Sequence, residues 1–268
     1  MPKRTSRKQS IKNIHPGPPI PAISKCPIEI LDAIFSMACT DGGATGRSLS
    51  TVSKRIREVS KVFKYQSLLV KQHQLRSLTL ILHSLPLDAR RVVHLVVQSS
   101  FWGQGYGLSE DRFFDTDKMR VLAVVAHSLR TLEVRANRAQ VLLPIALPSL
   151  RTLTLHGVAR AKNHSQRNTA CYPALKRFHF APHSARVYNI FSLITRAAPT
   201  LEVLKLSHCK WYHEFDALVR CLHQNPTLKI ILCPSICLPN FRKVLVQCYK
   251  QVTIEEHPVS LSQFEWHQ

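Results

Sequence analysis

Pro148-Ser149-Leu150-Arg151-Thr152-Leu153-Thr154-Leu155 carries the main signal for the architecture of this chain. Its proline lies two residues before a leucine that opens the pattern Leu-x-x-Φ-x-Φ, where Φ is an apolar residue. Alternating apolar residues such as Leu153 and Leu155 predict a β-strand with one buried face. The same template recurs elsewhere in the chain, so this stretch is one copy of a repeat.

The repeat extends in both directions from Pro148. The later copies have prolines 25, 26 and 27 residues apart and comprise Pro173 with Leu175, Phe178 and Phe180, Pro199 with Leu201, Leu204 and Leu206, and Pro226 with Leu228, Ile231 and Cys233. Two earlier copies lack the proline and comprise Val92, Leu95 and Val97, and Leu129, Leu132 and Val134. A period of about 20–29 residues with this apolar core is typical of leucine-rich repeats, in which each strand is followed by a helical or irregular return. The expected fold class is therefore α/β, with a short, irregular leucine-rich-repeat solenoid over residues 92–252.

The segments between the strands predict returning helices in two places. Apolar stripes at helical spacing comprise Val187, Ile190, Phe191 and Ile194, and Phe215, Leu218, Val219 and Leu222. Residues 101–117 interrupt the array with a glycine-rich aromatic start and an acidic end. We expect an exposed loop there, whose aromatic side chains are candidates for partner contact.

A helical module is predicted before the repeats. From Pro27 onward, apolar residues recur three and four apart, as on one face of an α-helix, and proline is favoured at a helix start. The glycine-rich residues 41–46 predict a loop, after which apolar residues at 49–63 resume helical spacing. Residues 65–70 fit a short strand, and residues 71–91 fit a linking helix, although a strand template also matches part of them.

The order of these features resembles an F-box. The resemblance rests on Cys26-Pro27-Ile28-Glu29-Ile30-Leu31, on Ile34-Phe35 and on residues 49–58, and it is closest to the fungal type, in which a glycine-rich insert follows the first helix. It covers residues 26–70, about a quarter of the chain. Cys26 stands where the family usually has leucine, and Ile56 stands where an aromatic residue is frequent.

The resemblance implies a function and a set of contact residues. F-box helices bind a Skp-type adaptor protein, which links them to a cullin complex acting as a ubiquitin ligase, and the repeats would hold a client protein for ubiquitin transfer. By this resemblance the docking residues are Pro27, Ile28, Leu31, Ile34, Phe35, Leu49, Val52 and Ile56. The client and its contact residues are not predicted. A member that no longer meets a ligase, leaving a client-binding scaffold, is the alternative within the family.

The charge of the chain suggests a different alternative. Its formal net charge of +21, from 37 Lys and Arg against 16 Asp and Glu, predicts an acidic partner. Residues 1–25 form a basic, proline-rich tail for which we expect an extended spacer or a nuclear-import signal, and residues 253–268 are expected to be a cap or a second tail. The alternative function is a basic nucleic-acid-binding scaffold with no ligase role, whose binding would be strongly salt-dependent.

Catalytic and metal sites are not expected. Cys209 lies among two histidines and two acids, so a cysteine hydrolase is the enzyme hypothesis to exclude, but its place at the repeat's turn favours a packed thiol. Cys233 and Cys237 are the only close cysteine pair, and no second pair lies at zinc-finger spacing. We expect no enzyme activity, metal or cofactor. No apolar run reaches the ~18 residues of a membrane span, and cysteines among apolar neighbours favour the cytoplasm or nucleus.

Overall fold

A computed structural model of the chain describes residues 22–99, 108–140, 145–160, 171–181, 190–207, 215–232, 246–247, 249–250 and 252–254. These residues form a mixed α/β structure with seven α-helices and one parallel sheet of eight strands. The helices are α1 (Ile28–Ala38), α2 (Ala44–Val52), α3 (Lys54–Ser60), α4 (Leu75–Ser84), α5 (Leu108–Val125), α6 (Ile190–Ala197) and α7 (Phe215–Gln224). The strands are β1 (Ser67–Lys71), β2 (His94–Gln98), β3 (Thr131–Gln140), β4 (Thr152–Arg160), β5 (Arg177–Ala181), β6 (Val203–Leu206), β7 (Lys229–Leu232) and β8 (Val252–Ile254).

The strands lie side by side in the order in which they occur in the chain, and all neighbours are parallel. Each strand is therefore followed by a return segment that brings the chain back to start the next strand. The residues at the first Φ position of the template are in register across the sheet: Leu132 pairs with Leu153, Leu153 with Phe178, and Phe178 with Leu204. The parallel sheet and its helices confirm the predicted α/β class.

The recurring prolines open a turn in front of four strands. After Pro148, the Leu150 N–H donates to the Leu147 carbonyl at 3.2 Å, which closes a four-residue turn with proline at its second position. The fixed φ of proline suits that position. The same bond follows the other three prolines, joining Leu175 to Tyr172, Leu201 to Ala198 and Leu228 to Asn225. The proline offset seen in the sequence is therefore a turn signal.

The last copy of the template was predicted one residue out of register. Ile231 was expected to point inward, whereas Ile230 pairs with Leu204 and is fully buried. Leu228 is buried as expected, and Cys233 lies outside the described residues. The leucine after the turn lies two residues before the first inward strand position here, against three in the earlier copies. A shift of one residue exchanges the two faces of a strand, so Ile231 is only half-buried.

One continuous apolar core lies beneath the sheet, from Val70 on β1 to Val252 on β8. Helices α4 to α7 contribute to it, with Leu122 and Leu222 among their buried side chains. Each fully buried leucine stabilises the fold by about 1.5–3 kcal/mol relative to exposure. The helix predicted in residues 71–91 is confirmed as α4, and the two predicted returning helices correspond to α6 and α7, while Val187 lies outside the described residues.

The loop predicted over residues 101–117 is wrong for its acidic part. Residues 108–117 begin α5, an 18-residue helix. Two of its acids pair one turn ahead: Asp115 with Lys118 at 2.6 Å and Asp117 with Arg120 at 3.2 Å. Such pairs three residues apart support a helix, which the glycine-rich start of the segment concealed. Residues 101–107 lie outside the described residues.

The helical module, α1 to α3, has a small core of its own. Its buried apolar side chains are Leu31, Phe35, Cys39, Ile56, Val59 and Phe63. The predicted loop over 41–46 ends at Gly43, because α2 already begins at Ala44. The helix predicted over 49–63 is two helices, because Ser53 is fully extended (φ −158°, ψ 164°) and its hydroxyl caps α3 by accepting from the Ile56 N–H at 3.2 Å.

A glycine turn joins the helical module to the sheet. Gly42 and Gly43 have positive φ values of 71° and 94°, which glycine adopts without strain. The Leu69 N–H donates to the Gly42 carbonyl at 3.3 Å, and the Gly42 N–H donates to the Ser67 hydroxyl at 3.1 Å. The outer edge of β1 is thereby bonded to the turn. Strand β1 is also the first strand of the sheet, which begins before the Val92 copy of the template.

Candidate functional site

Helix α1 has one buried side and one exposed apolar side. Leu31 and Phe35 are 0% and 3% exposed and belong to the module's core. Ile30, Ile34 and Met37 are 51%, 46% and 71% exposed. Their spacing of four and three residues places them on one stripe of the helix. We call Ile30, Ile34 and Met37 the α1 stripe.

The eight residues expected to dock a partner do not share one surface. Pro27, Ile28, Ile34 and Val52 are exposed, and Leu49 is half-buried against the module's core. Leu31, Phe35 and Ile56 are buried in that core and support the surface from beneath. Sequence reasoning omitted Ile30 and Met37 from the contact set, although the rule that found the inner face of α1 also identifies the outer stripe.

Backbone acceptors hold the helices of the module in place. The Arg55 guanidinium donates to the Cys26 carbonyl at 2.6 Å, which ties the start of α1 to α3. The Arg57 guanidinium donates to the Ser50 carbonyl at 2.6 Å, which fixes the angle between α2 and α3. These bonds hold α1, and with it the α1 stripe, in a fixed position relative to α2 and α3.

Asp41 anchors the start of α2. Its carboxylate accepts from the Thr45 N–H at 2.8 Å and from the Thr45 hydroxyl at 2.6 Å. Burial alone would raise the pKa of Asp41, but these hydrogen bonds stabilise the charged form more strongly and hold the pKa below its usual value. The anchor is therefore present at neutral pH.

A row of polar side chains crosses the other face of the sheet, on strands β3 to β5 and directly after β6. Glu133 accepts from Arg135 at 2.6 Å and contacts Nε2 of His156 at 3.2 Å. The rings of His156 and His179 meet edge to face, with centroids 5.8 Å apart, and Nε2 of His179 lies 2.9 Å from the Ser207 hydroxyl. We call these five residues the polar row. Glu133 and Arg135 lie on β3, His156 on β4 and His179 on β5, while Ser207 directly follows β6. Arg135 and His156 are register partners, and the contacts between neighbouring strands run diagonally.

Glu133 is the charged centre of the polar row. Burial alone would raise its pKa, but the hydrogen bonds from His156 and Arg135 and the positive charge of Arg135 hold the pKa of Glu133 below its usual value. The carboxylate is therefore ionised at neutral pH and orients both partners. Its side chain is 17% exposed, and that of Arg135 is 25% exposed, so both remain within reach of a bound molecule.

The contact between Ser207 and His179 invites comparison with a serine nucleophile and its base. A hydrolase requires the acid to orient the histidine that contacts the serine. Here Glu133 contacts His156, and the two imidazole rings meet edge to face. Among the described contacts, the acid therefore meets His156 and the serine meets His179, which differs from the acid–histidine–serine order.

The polar row was missed because the template was examined for its inward positions. Glu133 and His179 occupy the x between the last two apolar residues of Leu-x-x-Φ-x-Φ. Arg135, His156 and Ser207 each directly follow the last apolar residue of their copy. Aligning the copies and comparing these two columns would have found all five residues.

Several predicted features lie outside the described residues or have no counterpart within them. Cys209, Cys233, Cys237 and the aromatic residues 101–107 are not described.

Burial raises the pKa of the Cys221 thiol to about 11. In the described ranges, no three His, Cys, Asp or Glu side chains are grouped as metal ligands would be. A search of the same ranges finds no helix with the length and apolar character of a membrane span.

Comparisons with known proteins give no relative for this chain. No protein-family model, no curated protein and no solved structure matches it. A function is therefore inferred from the residues and contacts of the two surfaces, the α1 stripe and the polar row.

Proposed function

We propose that this chain is a substrate-recognition adaptor of a cullin-type ubiquitin ligase, in which the helical module binds a Skp-type adaptor and the sheet binds a client protein. The observation that carries the proposal is the α1 stripe. Three large apolar side chains remain exposed on a helix whose opposite side is packed into a closed core. Exposed apolar surface of this kind is typical of a protein interface.

The resemblance of residues 26–70 to an F-box names the partner. The proline start of α1, the glycine turn and the basic second part of the module follow the F-box order. The family binds its Skp-type partner through apolar helical side chains, and the α1 stripe supplies such side chains. The exposed Ile28 and Val52 extend the available apolar surface.

The sheet supports the second half of the proposal. Its parallel strands in chain order, four of them preceded by the same turn, agree with leucine-rich repeats. One face of the sheet is closed by the core, so the polar row lies on the face available to a client. The half-buried Arg135 carries N–H groups beyond the one that donates to Glu133, which favours a client segment that presents acidic or carbonyl groups.

The adaptor would act by proximity. Binding a client and a ligase on one chain raises the effective concentration of the client near the enzyme that transfers ubiquitin. The chemistry of transfer then belongs to other subunits of the ligase.

Co-purification with a recombinant Skp-type adaptor tests the proposal. The variant Ile34→Asp, Met37→Asp places two charges on the α1 stripe without entering the module's core, unlike changes at the buried Leu31 or Phe35. We expect the wild-type protein to bind and the variant to lose at least about thirtyfold in affinity, since a central interface residue contributes about 2 kcal/mol or more.

Leu80→Asp, Ile81→Asp is the matched control. Both side chains are exposed apolar residues on α4, 67% and 43% exposed, so the control adds the same charge to a different helix. It should bind as the wild type does. Absence of binding by the folded wild-type protein, or equal loss in both variants, would contradict the adaptor proposal.

Nucleic-acid binding is the second candidate function, and the net charge of +21 favours it. A labelled single-stranded RNA and a DNA duplex titrated at two salt concentrations test it directly. Binding that weakens steeply with salt, in a protein that does not capture the Skp-type adaptor, would favour this function instead.

A further inference from the structure

A cavity of about 340 Å³ lies at the edge of the sheet where β2 and β3 begin. Arg91 lines it from the segment before β2, and Arg130 lines it from the turn between α5 and β3. His127, Ser128 and Ser149 supply further polar side chains, and no carboxylate lines the cavity among the residues whose side chains the structure describes. A cavity of this size is within the range that holds a small ligand. It is separate from both the α1 stripe and the polar row.

The walls of the cavity are bonded to one another. The Ser128 hydroxyl donates to the Val92 carbonyl at 3.0 Å, and the Ser149 hydroxyl donates to the His127 carbonyl at 2.8 Å. The Arg130 N–H donates to the Val93 carbonyl at 2.9 Å. Three separate segments of the chain are therefore held in fixed relation around the cavity, which reduces the cost of ordering it around a ligand.

The two arginines of the cavity differ from their neighbour. Arg90 donates to the Leu85 carbonyl at 2.7 Å and to the His83 carbonyl at 2.9 Å, so its guanidinium is part of the fold. Within the part of the chain that the structure describes, neither Arg91 nor Arg130 has a carboxylate within ion-pair distance, and the side chains of both are exposed. Their positive charge is therefore available to a ligand.

The charge of Arg130 also reaches the adjacent strand. Burial and the nearby positive charge of Arg130 together lower the pKa of His94. Outside the cavity, the exposed Arg151 directly precedes β4, as Arg130 directly precedes the neighbouring β3. This end of the sheet thus presents a positive field that attracts an anion.

We propose that this cavity binds the phosphate group of a phosphate monoester. Two guanidinium groups match a phosphate in geometry, because each can donate two parallel hydrogen bonds, and they match its charge of about −2. Leu87 and Val93 form the apolar part of the wall and would contact the carbon portion of the ester. Two guanidinium groups at one local cavity favour a single phosphate over an extended nucleic-acid tract.

The phosphate could belong to a free small ester or to a phosphorylated side chain, and the chemistry recognised is the same. Calorimetric titration of the full-length protein with phenyl phosphate, and with a phosphoserine peptide beside its unphosphorylated copy, distinguishes the two. Tighter binding of the phosphopeptide than of phenyl phosphate indicates a phosphorylated side chain. Equal or weaker binding of the peptide indicates a free ester.

Two pairs of variants test the site itself. Arg91→Ala, Arg130→Ala should weaken phenyl phosphate binding by about tenfold or more, because both charged hydrogen-bonding groups are lost. Arg177→Ala, Lys229→Ala removes the same charge from exposed positions on β5 and β7 and should change the affinity by less than about twofold. Arg91→Lys, Arg130→Lys keeps the charge and should still weaken binding, because lysine cannot donate in the paired geometry.

The proposal is overturned if the wild-type protein does not bind phenyl phosphate or the phosphopeptide. It is also overturned if both alanine pairs weaken binding equally, because the attraction would then be general to the basic protein. If single-stranded RNA still displaces phenyl phosphate from the Arg91→Ala, Arg130→Ala variant, the surface is a general binding site for a polyanion. The site does not depend on the adaptor proposal, so Skp-type binding and phosphate binding can succeed or fail separately.

Discussion

The helical module and the sheet treat their large apolar side chains differently. Among the described residues, seven of the eleven exposed large apolar side chains lie between Ile23 and Val62, in or beside the helical module. Along strands β2 to β6, the inward positions hold buried apolar residues, whereas outward positions hold mainly polar ones such as Glu133 and His179. Apolar exposure in the described part of the chain is thus concentrated in and beside the helical module. This contrast favours a binding role for the module.

The largest expected effect is a loss of stability in the core of the helical module that leaves the core of the sheet intact. Phe35→Ala should lower the stability of the helical module by about 3–5 kcal/mol, because it removes a ring that is 3% exposed from a core of few residues. Hydrogen–deuterium exchange should show lost protection in α1 and α3, with strands β3 and β4 still protected.

Met37→Ala is the control for that change. Its side chain is 71% exposed on the same helix, so stability should change by less than about 0.5 kcal/mol. Loss of protection in β3 and β4 to the same extent as in α1 after Phe35→Ala would show that the two regions unfold as one unit, contrary to this comparison.

A smaller effect is expected on the sheet's polar face. Glu133→Gln should lower the free energy of unfolding at pH 7 by about 1.5 kcal/mol, since hydrogen bonds to a charged group are lost or weakened. The folded-state pKa of Glu133 is lowered, so its stabilisation is complete above the ordinary glutamate value of about 4.3 and is lost as the pH falls through the folded value. Urea unfolding at several pH values should show the two proteins converging below about pH 4.

Glu202→Gln supplies the matched comparison for Glu133. Glu202 pairs with Lys176 at 2.7 Å, but both side chains are more than half exposed, and surface ion pairs contribute little to stability. This variant should follow the wild-type protein across the pH series. If Glu202→Gln changed the pH dependence as much as Glu133→Gln, burial in the polar row would not be the cause.

The smallest effect concerns the break between α2 and α3. Ser53→Ala should cost about 1 kcal/mol, because the hydroxyl that accepts from the Ile56 N–H is lost. Ser48→Ala, whose hydroxyl donates within α2 to the Ala44 carbonyl, should be nearly neutral. Thermal unfolding followed by circular dichroism compares the two, and an equal loss would remove Ser53 from its role as a cap.

Much of the sheet could be predicted because its signals are local. The proline, the leucine two residues later and the alternating pair lie within eight residues, and they encode a turn followed by a strand. The last copy failed because one residue is missing between Leu228 and Ile230, and apolar residues stand at both Ile230 and Ile231. A pattern of period two cannot choose between two adjacent apolar residues; the pairing with β6 decides.

The functional surfaces were harder to predict. Periodicity identified α1 but treated Leu31 and Ile34 alike, because only packing against α3 decides which apolar residue is covered. The polar row depends on four strands whose residues are separated by more than twenty positions in the chain. Similarly, Arg91 and Arg130 meet at one cavity only because β2 and β3 are neighbours.

The glycine turn at the start of the sheet has a consequence for self-association. An uncovered edge strand offers unpaired backbone groups to any passing strand, which is a route to aggregation. Here the Leu69 N–H is occupied by the Gly42 carbonyl, and a Cβ at residue 42 would approach the Leu69 Cβ to 3.1 Å. The turn therefore covers the outer edge of β1 and hinders its pairing with another strand. A chain shortened to begin at β1 would expose that edge, through which its copies would associate.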